Sequence, residues 1–226
     1  MSTIKETLVE GVQILDHLHI WEDNYGHVSG RSPDGKTMWI LGHLHEDTVP
    51  FSDVTTEHMV EVDIATGAWD GPLEPPGEVY IHTSIYRNRP DVNGVVHAHP
   101  ELPTALSVAG QPVIPAHHHG ALFDPFVPLM YDHRQINNNE IAQKMVGILG
   151  DAPAIVLQAH GAVTAGESIE EAVIIMVTLD MCARRQYMAA QVGTPQPIRI
   201  PADAERKLPK ENMMNEWNFH LAMARG

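Results

Sequence analysis

GEVYIHTSIYRNRPDVNGVVHAHP, residues 77–100, joins a helix pattern directly to a strand pattern. Its first half reads as a helix from about Val79 to Asn88. The helix stops before Arg89-Pro90-Asp91, because a proline disfavours helical backbone at the residue before it. The second half, NGVVHAHP (93–100), reads as a short buried strand in which Val95 and Val96 lead into two histidines. Successive strand side chains alternate faces, so His97 and His99 point the same way. Two imidazole nitrogens so placed can reach one metal ion at about 2.0–2.1 Å. Pro100 then ends the strand and leaves the pair at a strand end, where pockets form. Taken alone, an HxH in a strand is equally compatible with a structural or merely exposed pair.

Sixty residues on, AIVLQAHGAVTAG (154–166) reads as strand, turn at Gly161 and second strand. It presents His160 at another strand-to-turn edge. Three histidines leave coordination positions open, as in a catalytic rather than a structural metal site.

Outward from these segments, helices and strands keep alternating. Residues 4–18 read as a helix, with Ser2 and Thr3 ahead of Ile4, Leu8, Val12 and Leu15. GHVSGRSPDGKTMWIL reads as two strands joined at Pro33-Asp34-Gly35. Residues 59–69 read as another strand, followed by a stiff loop through Pro72, Pro75, Pro76 and Gly77. A helix follows over 101–109, a strand edge at QPVIPA, a loop at HHHGALFDPFVP and an Asn-capped helix over 136–150. Ser168 with Glu171 forms a capping-box pattern that opens a long helix to about Ala190. The pattern gives one layered α/β domain, with 1–226 as a single unit. Within it, 195–226 is a Pro- and charge-rich tail ending in MNEWNFHLAMARG. Trp217 and Phe219 in that segment call for a docking surface, on this chain or on a neighbour.

The chain has 226 residues, with 14 Lys and Arg against 29 Asp and Glu, and a formal net charge of -15. Such a surface repels polyanions, which argues against nucleic acid and anionic membrane as partners. A small anionic substrate remains compatible, because a metal or a His cluster can dominate inside a pocket. Cys182 is the only cysteine, so no intrachain disulfide forms. The start has no signal-peptide layout and no run of about 18 apolar residues occurs, so a cytoplasmic protein is expected. Histidine is the outlier, at 15 residues. Several cluster, as at His43 with His45 and at His117 to His119. Clustering asks for metal or anion chemistry.

Together, GHVSGR near residue 26, the quoted 77–100 stretch and VLQAHGAVTAGESIEEAV resemble the class II aldolase/adducin family over roughly residues 5–190. The resemblance implies a layered α/β/α domain around a mainly antiparallel sheet. It implies one divalent metal ion per subunit, usually zinc or manganese, held at His97, His99 and His160, and a catalytic acid/base at Glu78. From the residues alone Glu78 is a helix-start glutamate favoured by the macrodipole. The metal itself is left open, since three neutral imidazoles suit zinc, manganese, iron and cobalt almost equally. A fourfold homotetramer with sites at subunit contacts is implied too. His119 aligns with a tyrosine of the aldolases that works across that contact and is a second candidate catalytic acid; a slip of one residue is compatible, and which of His117, His118 and His119 faces the site is left open.

The chain departs from the family's sugar-phosphate members at each phosphate-cradling element. His27 replaces the Asn of a GNxS turn, Leu41-Gly42-His43-Leu44-His45 replaces a Thr-Gly loop, and Pro76-Gly77 replaces a Ser-Ser pair. A phosphate needs several convergent donors. The expected substrate-binding set is therefore His27, Ser29, Arg31, His43 and His45, facing a carboxylate or phenolic oxygen, with loop decoration as the alternative for His43 and His45. The resulting expectation is a metal-dependent lyase, by preference a decarboxylase of a hydroxylated aromatic or pyridine (di)carboxylate. The alternatives are an aldolase, epimerase or dehydratase acting on a carbonyl substrate and, more remotely, a non-catalytic adducin-like module.

Overall fold

The computed structural model describes residues 2–22, 25–44 and 49–226. Its strands are β1 (His27–Arg31), β2 (Thr37–Leu41), β3 (Met59–Asp63), β4 (Gly94–Ala98), β5 (Leu129–Met130), β6 (Ala154–Leu157) and β7 (Gly161–Gly166). They form one sheet in the order β3-β2-β1-β4-β7-β6-β5. Every pairing is antiparallel except β5 with β6. The expected mainly antiparallel α/β/α domain is thus what the chain forms.

Alternation along the strands sorts side chains into two cores. Val28, Val96, Ala98, Val156 and Ala162 join one cluster with α1 (Ile4–His17) and α5 (Ile169–Ala190). Ile40, Val95, Ile155 and Val163 join the other, with α2 (Val79–Asn88) and α4 (Asn139–Leu149). Between α2 and α4, α3 (Glu101–Val108) follows directly on Pro100.

The helix ends follow the sequence cues closely. Thr3 accepts from the Glu6 N–H while Glu6 accepts from the Thr3 N–H, a full capping box. At α5 only half of that box forms. Ser168 accepts from the Glu171 N–H, but the Glu171 carboxylate turns to the backbone N–H of Glu167.

One expectation is corrected and one open alternative takes a definite form. QPVIPA (111–116) is not a strand; it lies outside the sheet with no regular secondary structure, since Pro112 and Pro115 have no N–H to offer a ladder. The aromatic tail folds onto its own chain. Its helix α6 (Lys210–Arg225) packs on α1 and α5, with Trp217 buried beside Gly11 and Arg225 paired with Glu10 at 2.9 Å. Phe219 remains exposed.

Candidate metal centre and active site

The centre arises from the match between a helix and a strand. From the N-cap of α2 onward, the side chains of Glu78, His82 and Tyr86 recur every four residues, a rise of about 6 Å per helical step. In β1 the side chains of His27, Ser29 and Arg31 recur every two residues, roughly 6.8 Å per step. One ladder therefore meets the other rung by rung. His82 Nε2 lies 2.7 Å from His27 Nδ1, His82 Nδ1 lies 2.6 Å from Ser29 Oγ, and Ser29 Oγ lies 2.8 Å from the Tyr86 hydroxyl. Register then brings in the metal candidates, because His27 pairs with His97 across β1 and β4.

His97, His99 and His160 converge as the sequence spacing expected. Their rings stand mutually edge-on, with centroids 5.0, 5.0 and 5.1 Å apart. Each offers a ligand nitrogen within 4.8 Å of the others. His97 Nδ1 donates to the Ala162 carbonyl at 3.1 Å, which leaves the Nε2 lone pair facing inward. That Nε2 lies 3.1 Å from His99 Nε2. Bonds of 2.0–2.1 Å around a tetrahedral ion set its ligand nitrogens roughly 3.3 Å apart, so the pair fits a cation. Burial, followed by the neighbouring imidazoles, lowers the His99 pKa to about 3, which keeps it in the neutral, ligating form. Gly161 is needed here. A β-carbon at that position would meet the Ala98 carbonyl oxygen and lie 2.7 Å from His99 Cδ2.

Glu78 sits at the N-cap position of α2 but caps nothing. Its Oε1 accepts from the Ile136 N–H at 2.7 Å, and its Oε2 lies 3.4 Å from His97 Nε2 and 3.5 Å from His160 Nε2. Burial raises its pKa, but the imidazoles of His160 and His97 outweigh that and hold it well below the usual carboxylate range. The residue is a buried carboxylate aimed into the histidine cluster. His27, Glu78 and His97 form a second group whose spacing suits an ion.

A cavity of about 640 Å³ opens over this cluster, within the range of small-molecule sites. His27, His43, Glu78, His99 and His160 line it. Three expected site residues lie elsewhere. Ser29 is fully buried between His82 and Tyr86. Arg31 donates to the carbonyls of Val92, Tyr86 and Arg89 and lies over the Tyr86 ring. The reason is alternation plus distance: both share the His27 face of β1, but Arg31 is roughly 13 Å further along the strand. His119 is bound to Glu216 of the tail at 2.6 Å and is absent from the described lining. His45 falls outside the described residues.

The sequence reading missed His133, Gln135 and Tyr25, all of which line the cavity. The first two arrive with the segment before α4, which the Ile136 bond to Glu78 pins in place. Nothing local announces that contact. The four-residue spacing of Glu78, His82 and Tyr86, by contrast, was available as a signal in the sequence.

The model of the class II aldolase and adducin N-terminal domain matches residues 6–187. A 3,4-dihydroxyphthalate decarboxylase of Arthrobacter keyseri is 28% identical over 199 residues, covering 84% of this chain and 79% of the relative. An L-fuculose phosphate aldolase of Escherichia coli is 28% identical over 189 residues, covering 81% and 82%. Among solved structures, the L-fuculose 1-phosphate aldolase from Glaciozyma antarctica PI12 superposes with a TM-score of 0.83 at 22% identity, covering 98% of this chain and 88% of that one. Decarboxylases and aldolases of these kinds are both carbon–carbon lyases, the enzyme class that the family resemblance implies.

Proposed function

We propose that this chain, which belongs to the class II aldolase and adducin family, is a metal-dependent lyase that decarboxylates a hydroxylated aromatic or pyridine (di)carboxylate. One observation carries the reading. Among the described residues the cavity is lined by no Lys, Arg, Ser or Thr, yet five histidines face it: His27, His43, His99, His133 and His160. A phosphate dianion lacks its usual donors there. A flat ring does not, since Tyr25, Leu41, Leu44, Phe51 and Pro76 supply apolar walls.

His97, His99 and His160 would hold one divalent ion per subunit, zinc or manganese. When bound, it supplies Lewis-acid stabilisation of negative charge on substrate oxygens. The chain's own residues handle the proton. Glu78 Oε2 takes the proton of the substrate hydroxyl and returns it to the ring carbon that carries the departing carboxylate. As that C–C bond breaks, its electron pair stays with the ring carbon, carbon dioxide leaves, and water reprotonates the product oxyanion. Ile136 holds the carboxylate in place through Oε1.

The reading extends to a cytoplasmic location and to a homotetramer, the latter supported by exposed Phe126, Tyr131 and Phe219. In it, His119 serves a neighbouring subunit's cavity. Retro-aldol cleavage of a carbonyl substrate is the second reading, favoured by the likeness to the fuculose phosphate aldolase. Metal-reconstituted protein, incubated with dihydroxyphthalates and pyridine dicarboxylates beside sugar 1-phosphates, separates the two. Carbon dioxide from an aromatic acid, lost in His97→Ala, is the expected result. Aldehyde from a sugar phosphate overturns it.

A further inference from the structure

The buried polar chain behind His27 determines which way its protons run. The Tyr86 hydroxyl is buried, and among the described residues its only hydrogen-bond partner is Ser29 Oγ. Its proton is satisfied only if Tyr86 donates, and a buried hydroxyl without an acceptor costs about 1–3 kcal/mol. Ser29, fully buried, has one proton, and the acceptor left for it is His82 Nδ1 at 2.6 Å. His82 therefore carries its own proton on Nε2, which donates to His27 Nδ1 at 2.7 Å. His27 must then carry its proton on Nε2.

The reverse direction fails on counting alone. If His27 Nδ1 donated to His82, then His82 would donate to Ser29, Ser29 would donate to Tyr86, and the Tyr86 proton would face no acceptor. A doubly protonated His82 fails too, because Ser29 would then receive two donors and have nowhere to place its own proton. Only one arrangement satisfies every group.

We propose that Tyr86, Ser29 and His82 form a one-directional hydrogen-bond chain that locks His27 in its Nε2–H form, so that His27 meets the substrate as a donor and is excluded from the metal's ligand set. The consequence separates the two groups whose spacing suits an ion. In the trio His97, His99 and His160, His97 keeps its inward lone pair by donating Nδ1–H to Ala162. The group His27, Glu78 and His97 loses one, since the His27 lone pair is already taken by His82. His27 lines the cavity. What its N–H recognises there is an oxygen acceptor, and on the reading under Proposed function this is a carboxylate or phenolate oxygen of the substrate. Tyr86, Ser29 and His82 are positioning residues that act through His27.

The test reads the proton directly. In metal-free protein labelled with ¹⁵N-histidine, long-range nitrogen–proton correlation spectra should show His27 with a protonated Nε2 and a bare Nδ1, assigned by loss of the signals in His27→Gln. Observation of the Nδ1–H form or of the cation overturns the proposal. Ser29→Ala removes the bias, so both forms of His27 should appear, whereas Tyr86→Phe leaves Ser29 donating to His82 and should preserve the Nε2–H form. A second arm uses Co²⁺ alone. His27→Gln should bind it with an unchanged visible spectrum and an affinity within about threefold of the parent, while a tenfold loss or an altered spectrum makes His27 a ligand and sinks the idea. A third arm measures decarboxylation, where Ser29→Ala should raise KM about tenfold with a smaller change in kcat. Should no aromatic acid be decarboxylated, the substrate reading fails while the first two arms still decide the tautomer.

Discussion

Removing the Ser29 hydroxyl should cost far more than its size suggests, and the excess should vanish when Tyr86 loses its hydroxyl as well. Ser29→Ala leaves two buried groups without partners, the Tyr86 O–H and the His82 Nδ1 lone pair. At about 1–3 kcal/mol for each stranded group, the expected loss is about 3 kcal/mol. Tyr86→Phe strands nothing, because the Ser29 proton still goes to His82; it forfeits one hydrogen bond, about 1 kcal/mol. With both changes only His82 Nδ1 is stranded, for a loss of about 2 kcal/mol. The single losses therefore add to about 4 kcal/mol against about 2 kcal/mol for the double variant, a coupling of about 2 kcal/mol. The assay is urea unfolding of the four proteins, metal-free and at one protein concentration, accepted only where the slopes agree. Additivity within about 0.5 kcal/mol, or a Ser29→Ala loss below about 1 kcal/mol, would refute the chain as drawn.

Glu78→Gln keeps an oxygen for the Ile136 N–H but loses the proton carrier, so kcat of the metal-loaded enzyme should fall about 10²- to 10⁴-fold while urea stability moves by less than about 1 kcal/mol. Zinc at a thousand times its dissociation constant should stabilise the protein by about 4 kcal/mol, or roughly 10 °C in a thermal melt; His99→Ala should abolish that rise, and its persistence would exclude the histidine trio. Burial lowers the His82 pKa to about 3 in the folded chain from an ordinary value of 6.5, so unfolding takes up a proton in between. The contribution of His82 to the stability of the metal-free protein should be complete above pH about 6.5 and fall by about 1.4 kcal/mol per unit below it, down to pH about 3, on top of any slope from the other buried histidines. In His82→Gln the slope should be shallower by that amount, and an unchanged slope would contradict a neutral His82. Gly161→Ala drives a methyl against the Ala98 carbonyl and His99, so zinc affinity should drop at least tenfold, measured by competition with a chromophoric chelator.

Whatever depends on neighbours along the chain was legible in the order of its amino acids. Thr3 with Glu6 and Pro90 set helix ends, because capping and proline sterics act over a few residues. Strand alternation put His97 and His99 on one face, and the turn at Gly161 placed His160 at an edge. The pairs that make the site chemical are long-range. Glu78 met Ile136, His82 met His27, and β1 met β4 in the register that sets His27 opposite His97. The same register carried Arg31 to the far end of its strand, and α6 set Trp217 beside Gly11. Local backbone preference fixes where a side chain stands on its own element. Only the packing of one element on another decides which buried groups meet, because each polar atom withdrawn from water takes the partner that the packing offers.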